Sequence, residues 1–124
     1  MNRWMLLPCL LLAVAPACRE TQECERARMN LAKTWKGLRE SAARKKLAGG
    51  DVPSWQYVEQ RADLLESAFT TSQVTWPSAD KATTELAAKL TGMRVEEGDM
   101  SVTAFRSSVQ GAFQEQATYA KLCR

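Results

Sequence analysis

From residue 20 to the C-terminus the apolar residues recur every third or fourth position, and nowhere do they alternate with polar ones. That spacing belongs to helices buried along one face, and it leaves no material for a sheet. At 100° per residue, Cys24, Ala27, Leu31, Trp35, Leu38 and Ala42 fall within about 80° of one another on a helix. They predict a first helix over 20–47, ended by Gly49-Gly50, because glycine enters the left-handed conformation of a helix terminus at little cost. Asp51-Val52-Pro53-Ser54 then reads as a helix start, a polar cap followed by an early proline. The second helix places Trp55, Val58, Ala62, Leu65, Phe69 and Trp76 on one face. It is expected to fray after Thr71, where β-branched residues accumulate and Pro77 disfavours a helical Trp76. Ser78 is the expected cap of a third helix with the stripe Ala79, Ala82, Leu86 and Leu90, closed by Gly92. Residues 93–99 read as a polar connection. Asp99 or Ser101 then caps a fourth helix whose stripe is Val102, Phe105, Val109, Ala112, Phe113, Ala120 and Cys123.

A chain of 124 residues has room for one domain. Hydrophobic content of 45% and charged content of 25% are those of an ordinary globular protein. There is no histidine, which removes the commonest general base and the commonest metal ligand together. The net charge of +3 is too small for a global nucleic-acid footprint, so no nucleic-acid partner is expected.

The N-terminus departs from the helical pattern. Met1-Asn2-Arg3 carries one positive charge, an apolar run follows from Trp4 to Val14, and Ala15-Pro16-Ala17 ends in small residues where a signal peptidase reads them. This is the secretory pattern, and it is too short for a stop-transfer helix. We expect a signal peptide over 1–17 and a helical domain over 18–124.

The segment Ala15-Pro16-Ala17-Cys18 resembles a bacterial lipobox, in which the cysteine receives a diacylglycerol and becomes the acylated first residue. It departs from that pattern at two positions, with alanine in place of leucine three residues before the cysteine and proline in place of a small residue two before it. Plain cleavage after Ala17 is the competing route. The cysteine count favours lipidation. Cys9 leaves with the signal, and Cys18, Cys24 and Cys123 remain, an odd number for an oxidising compartment. With lipid on Cys18, Cys24 and Cys123 form one disulfide and no thiol is left over. The bond in turn constrains the fold. Cys24 lies near the start of the first helix and Cys123 at the end of the fourth, and these ends share a pole only when the helix count is even. With three helices they would lie about 30 Å apart, out of reach of a bond. The expected architecture is an all-α antiparallel four-helix bundle with one disulfide.

Groups able to do chemistry are scarce. Glu59, Asp63 and Glu66 make an acidic ridge on the second helix, set off from its apolar stripe, and we expect it to be solvated and without the cleft that an acid–base pair needs. Ser54, Ser67, Ser72 and Ser101 have neither a histidine partner nor a G-x-S-x-G setting. The cysteines lack the C-x-x-C spacing of zinc or redox sites. No catalytic residue, metal site or cofactor is expected.

Charge is the asymmetric feature. Residues 19–46 hold nine Lys/Arg against four Glu, and residues 47–124 hold seven against ten acidic residues, so +5 faces −3. Arg26, Lys33, Lys36 and Arg44 form a basic ridge opposite the apolar stripe of the first helix. It is either a solvated face or a contact for an acidic envelope protein or anionic headgroups. Trp76, beside Pro77, is a second candidate contact, with packing in the core as its alternative. Gln116 falls within the fourth stripe as a core amide that needs partners.

The reading that unites these features is a small exported cell-envelope lipoprotein, held on the bilayer by an acyl anchor, whose helical domain is a binding or structural module. A soluble periplasmic carrier or inhibitor is the alternative if Cys18 is not acylated. At the level of architecture alone, a small disulfide-bonded helical lipoprotein is similar to the pilotins that escort secretins in secretion machines, although no pilotin motif is present.

Overall fold

The computed structural model describes residues 15–49, 51–71, 74–93 and 100–123, with side chains from Gln22 in the first helix and from Val102 in the last. Residues 1–14, Cys9 among them, and the expected terminator Gly50, Ser72 and the expected cap Asp99 lie outside the described residues, as do the side chains of Cys18 and Ser101. Four helices account for nearly all of the described chain: α1 (Ala15–Leu47), α2 (Val52–Thr70), α3 (Trp76–Gly92) and α4 (Met100–Cys123), with no strand among the described residues. They form a helical bundle in which α1 packs along α2 and α4, and α2 along α3.

The first helix begins five residues earlier than the spacing predicts. Pro16 stands in its first turn, where the missing N–H would have no partner in any case, so the helix runs unbroken through Cys18. It ends as expected. Ala48 N donates to Arg44 O at 3.0 Å, Gly49 N donates to Lys46 O at 3.3 Å, and Gly49 takes φ +88°, open to a residue without a Cβ.

Asp51 caps α2, its side chain accepting from Ser54 N at 3.3 Å and from Ser54 Oγ at 2.7 Å. These two bonds hold the Asp51 carboxyl below its ordinary pKa. A lowered folded-state value means that the cap contributes stability above the unfolded carboxylate range and loses it as pH falls through the folded value. Asp51→Ala is therefore expected to lower Tm by a few degrees at neutral pH, and the gap to wild type is expected to close in thermal melts taken at progressively more acid pH.

The α2–α3 junction differs from the sequence reading in two respects. Trp76 is not on the face of α2; it opens α3, and the cap position is Thr75, which makes no side-chain capping bond. Ser78, the expected cap, lies inside the helix and is exposed. The preference of a residue before proline for extended conformation gives way here to packing. The Trp76 ring lies 5.7 Å from Tyr119 and 6.5 Å from Phe69. At the other end of α3, Met93 is buried in the core although it fell within the expected polar connection. Its extended backbone ends the helix without a left-handed glycine.

The core collects Leu31, Trp35, Leu38 and Ala42 from α1, Trp55 to Phe69 at helical spacing from α2, the four-residue stripe of α3, and Val102 to Ala112 from α4. Cys24 and Cys123 are bonded, with Cα atoms 5.5 Å apart across 99 positions of chain.

Buried polar groups join the helices. Trp35 Nε1 donates to Gln116 Oε1 at 3.2 Å, Gln116 Nε2 donates to Thr83 Oγ1 at 2.7 Å, and Thr83 Oγ1 donates to Ala79 O at 2.7 Å. This chain of bonds ties α1, α4 and α3 together and satisfies the Gln116 amide. Two arginines close helix ends from a neighbouring helix. Arg28 Nη1 donates to Phe69 O at 2.6 Å in the last turn of α2. Arg106 donates to Leu90 O at 2.8 Å and also to Met93 O at the end of α3. Each supplies a cation and donors to carbonyls at a helix terminus, where the intrahelical ladder runs out; Leu90 O also accepts from Met93 N at 3.3 Å.

Tyr119, absent from the expected stripe, is buried edge-on to Phe69 at 5.4 Å. Burial pushes its phenol above the ordinary value of 10.0, with nearby Arg28 opposing. A raised folded-state value gives stability that is complete below the unfolded phenol range and is lost as pH rises through the folded value. In a Tyr57→Phe chain, which leaves Tyr119 as the only tyrosine, phenolate absorbance should appear at a midpoint above 10.0 and coincide with loss of helical signal at alkaline pH.

Candidate functional site

The cations of α1 whose side chains are described fall into two sets. Those turned toward α2 are partnered. Arg39 Nε lies 2.6 Å from Glu66 Oε1 and 3.7 Å from Asp63 Oδ1, and Lys46 Nζ lies 2.7 Å from Glu59 Oε1. Lys45 Nζ sits 5.5 Å from the centre of the Trp55 ring. Arg28 pairs with Glu25 within its own helix, which raises the Arg28 guanidinium and lowers the Glu25 carboxyl through their hydrogen bond. Of the three acidic residues of α2 expected to form a solvated ridge, Asp63 is exposed and the other two are not. Glu59 and Glu66 are largely covered and face the basic side of α1, where opposite charge offsets their desolvation.

The second set is the predicted ridge. Arg26, Lys33, Lys36 and Arg44 are all exposed, on the side of α1 opposite Leu31, Trp35 and Ala42. No salt bridge among the described residues involves them. The spacings of seven, three and eight residues keep them on one side of a helix. Glu40 lies among them and is also exposed. Two apolar residues share this side, Met29 at 51% and Leu47 at 83% exposure. Sequence reasoning passed over both, although their angular positions, opposite the core stripe, were available to it. Trp76 is not part of this surface. It is half-buried in the aromatic cluster with Phe69 and Tyr119, so of the five candidate contact residues the structure brings four together and sets one apart.

No protein-family model matches the chain, and no curated protein or solved structure is significantly similar to it.

Among the described residues, two grooves compete with the ridge. One, between α3 and α4, has a volume of about 270 Å³ with Leu90, Val109 and Phe113 in its walls and Arg106 at its edge. The other, between α2 and α3, is of similar size and is lined by Arg61, Leu64 and Glu85. Both are shallow, and both fall below the roughly 300–1,000 Å³ of sites that enclose small molecules. Arg61 and Glu85 are bonded to each other at 2.9 Å. Among the described residues no group of three or more acidic, cysteine or histidine side chains converges to hold a metal ion. Among the described residues the outward face of α1 therefore presents exposed cationic charge that no salt bridge uses.

Proposed function

We propose that the chain is a small exported cell-envelope lipoprotein, processed before Cys18, acylated there, and facing the periplasm as a helical binding module. The observation that carries this reading is the allocation of cysteines. The Cys24–Cys123 bond takes two of the three cysteines that follow the leader, so Cys18 is left for the lipid that the lipobox-like segment calls for. Among the described residues no helix is long and apolar enough to cross a membrane. On this reading the membrane is held by the acyl group and not by a spanning segment.

We read the bundle as antiparallel, up-down-up-down. In support, contacts between neighbouring helices run in opposite chain directions. Arg28, Arg39 and Lys46 of α1 meet Phe69, Glu66 and Glu59 of α2 in that order. Thr83 and Leu90 of α3 meet Gln116 and Arg106 of α4. The disulfide joins the first turns of the described side chains to the last turn of α4.

Globomycin, which blocks the lipoprotein signal peptidase, tests the processing step. Accumulation of the precursor in treated cells is expected. Normal maturation under the drug, with release of the protein from spheroplasts in the absence of detergent, would replace the anchored reading with a soluble periplasmic one.

A further inference from the structure

The outward cations of α1 differ from every other cationic cluster described in the molecule. Arg28, Arg39, Lys46 and Arg61 each face a carboxylate, and Arg106 faces two carbonyls. Their charge is used within the fold. Arg26, Lys33, Lys36 and Arg44 project theirs outward, with Glu40 among them and Glu23, one turn before Arg26, as the exposed carboxylates nearby. From Arg26 to Leu47 the row is about 30 Å long at 1.5 Å per residue. Met29 and Leu47 place an apolar side chain near each end of it. Long cationic side chains around a few exposed apolar ones are the composition of a helix face that rests on a headgroup layer. The candidate acylation residue belongs to the same helix, and Cys18 and Lys36 are separated by about five whole turns, which returns them to the same angular position.

We infer that this face of α1 docks on anionic phospholipid headgroups, so that the bundle lies with its first helix along the bilayer. A folded acidic protein is the less suitable occupant. The face is the convex side of a single helix, without a pocket or an aromatic side chain to anchor a rigid partner. A fluid anionic surface needs neither, because it gathers charge around dispersed cations, each adding about fivefold to binding. The inference rests on the envelope reading only for placing a bilayer within reach.

The test uses the full chain carrying Cys18→Ser, so that no acyl group contributes. Binding is measured by flotation with phosphatidylcholine vesicles containing or lacking phosphatidylglycerol, at low and high salt. The readout is the ratio between the two vesicle types, from which apolar attraction by residues 1–17 cancels because it does not distinguish the headgroups. The expected ratio is on the order of a hundredfold at low salt, collapsing at high salt. Lys33→Glu/Lys36→Glu should bring it close to one. Lys81→Glu/Lys121→Glu, the same charge change at exposed positions elsewhere, should leave most of it. All four positions are exposed, and helical circular dichroism confirms that the variants are folded; Lys33→Gln/Lys36→Gln repeats the test without added repulsion. A ratio near one for the parent chain overturns the inference. Equal losses in the two charge-reversal variants would also overturn it, by reducing the effect to net charge. So would headgroup indifference combined with a crosslink from position 33 to an acidic protein. Because Cys18 is absent throughout, failure here leaves the lipidation reading standing, and failure of lipidation leaves this result standing.

Discussion

Replacing Cys24 and Cys123 with serine is expected to lower stability by about 4 kcal/mol. The bond closes a loop of 99 positions, and chain-entropy reasoning assigns at most ~4.7 kcal/mol to a loop of that length. Its Cα–Cα distance of 5.5 Å falls at the centre of the range that disulfides adopt, so the native backbone need not move to accommodate it. For a domain near 100 residues, 1 kcal/mol corresponds to about 4 °C in Tm, and the paired variant should melt roughly 15 °C lower. The comparison is thermal unfolding of both chains, with the wild type measured again after reduction. Reduced wild type and double variant should coincide. The loss is a large fraction of the total stability of a small domain, and the variant is expected to be partly unfolded at physiological temperature.

The second large effect centres on Trp35. Its ring is fully buried, lies 5.9 Å from Phe113, and its indole N–H is the donor that satisfies Gln116. Trp35→Ala removes both contributions and should cost about 4 kcal/mol, within the range for truncating a buried aromatic side chain. The polar part separates from the packing part in Trp35→Phe. That change keeps an aromatic ring in the core and leaves Gln116 Oε1 buried without a donor, at a cost of about 2 kcal/mol. Adding Gln116→Leu should restore much of the loss, because Thr83 Oγ1 still donates to Ala79 O and no buried group is then unpaired. Denaturant melts of the single and double variants form a cycle. Additive losses would mean that the Trp35–Gln116 bond contributes nothing of its own.

The same residues explain how far the sequence was readable. Leu31, Trp35, Leu38 and Ala42, the α2 stripe up to Phe69, and the whole of Ala79, Ala82, Leu86 and Leu90 were recoverable from spacing, because one face of each helix is buried and the period alone marks it. Asp51 and Gly49 announced their ends through local chemistry. What spacing could not give was contact across helices. Arg28 reads as one more surface cation until Phe69 O is placed beside it. Tyr119 reads as flanking the α4 stripe until Phe69 and Trp76 close around it, and Trp76 opens a helix against the preference of a pre-proline residue for the sake of that cluster. Glu59 and Glu66 stand off the apolar stripe of α2, yet α1 covers them with Lys46 and Arg39. Of the candidate contact surface, the four cations were legible as a row. Met29 and Leu47, between and beyond them, were legible in the same way as lying opposite the core stripe, and the structure leaves both exposed.

The disulfide matters beyond stability, because it decides what remains for Cys18. With Cys24 and Cys123 committed to each other, the residue that follows Ala17 is the one we propose for acylation. Removal of the leader, the lipid and the disulfide each leave a mark on the mass of the mature protein; docking on headgroups does not, and stands on its own test.

Intact-mass measurement of the protein isolated from its own envelope, before and after reduction, tests this account most directly. The account predicts a chain lacking residues 1–17, heavier than its sequence by a lipid group that maps to Cys18, and gaining two hydrogens on reduction. An unmodified Cys18 carrying a free thiol, or a chain that retains the leader, would contradict it.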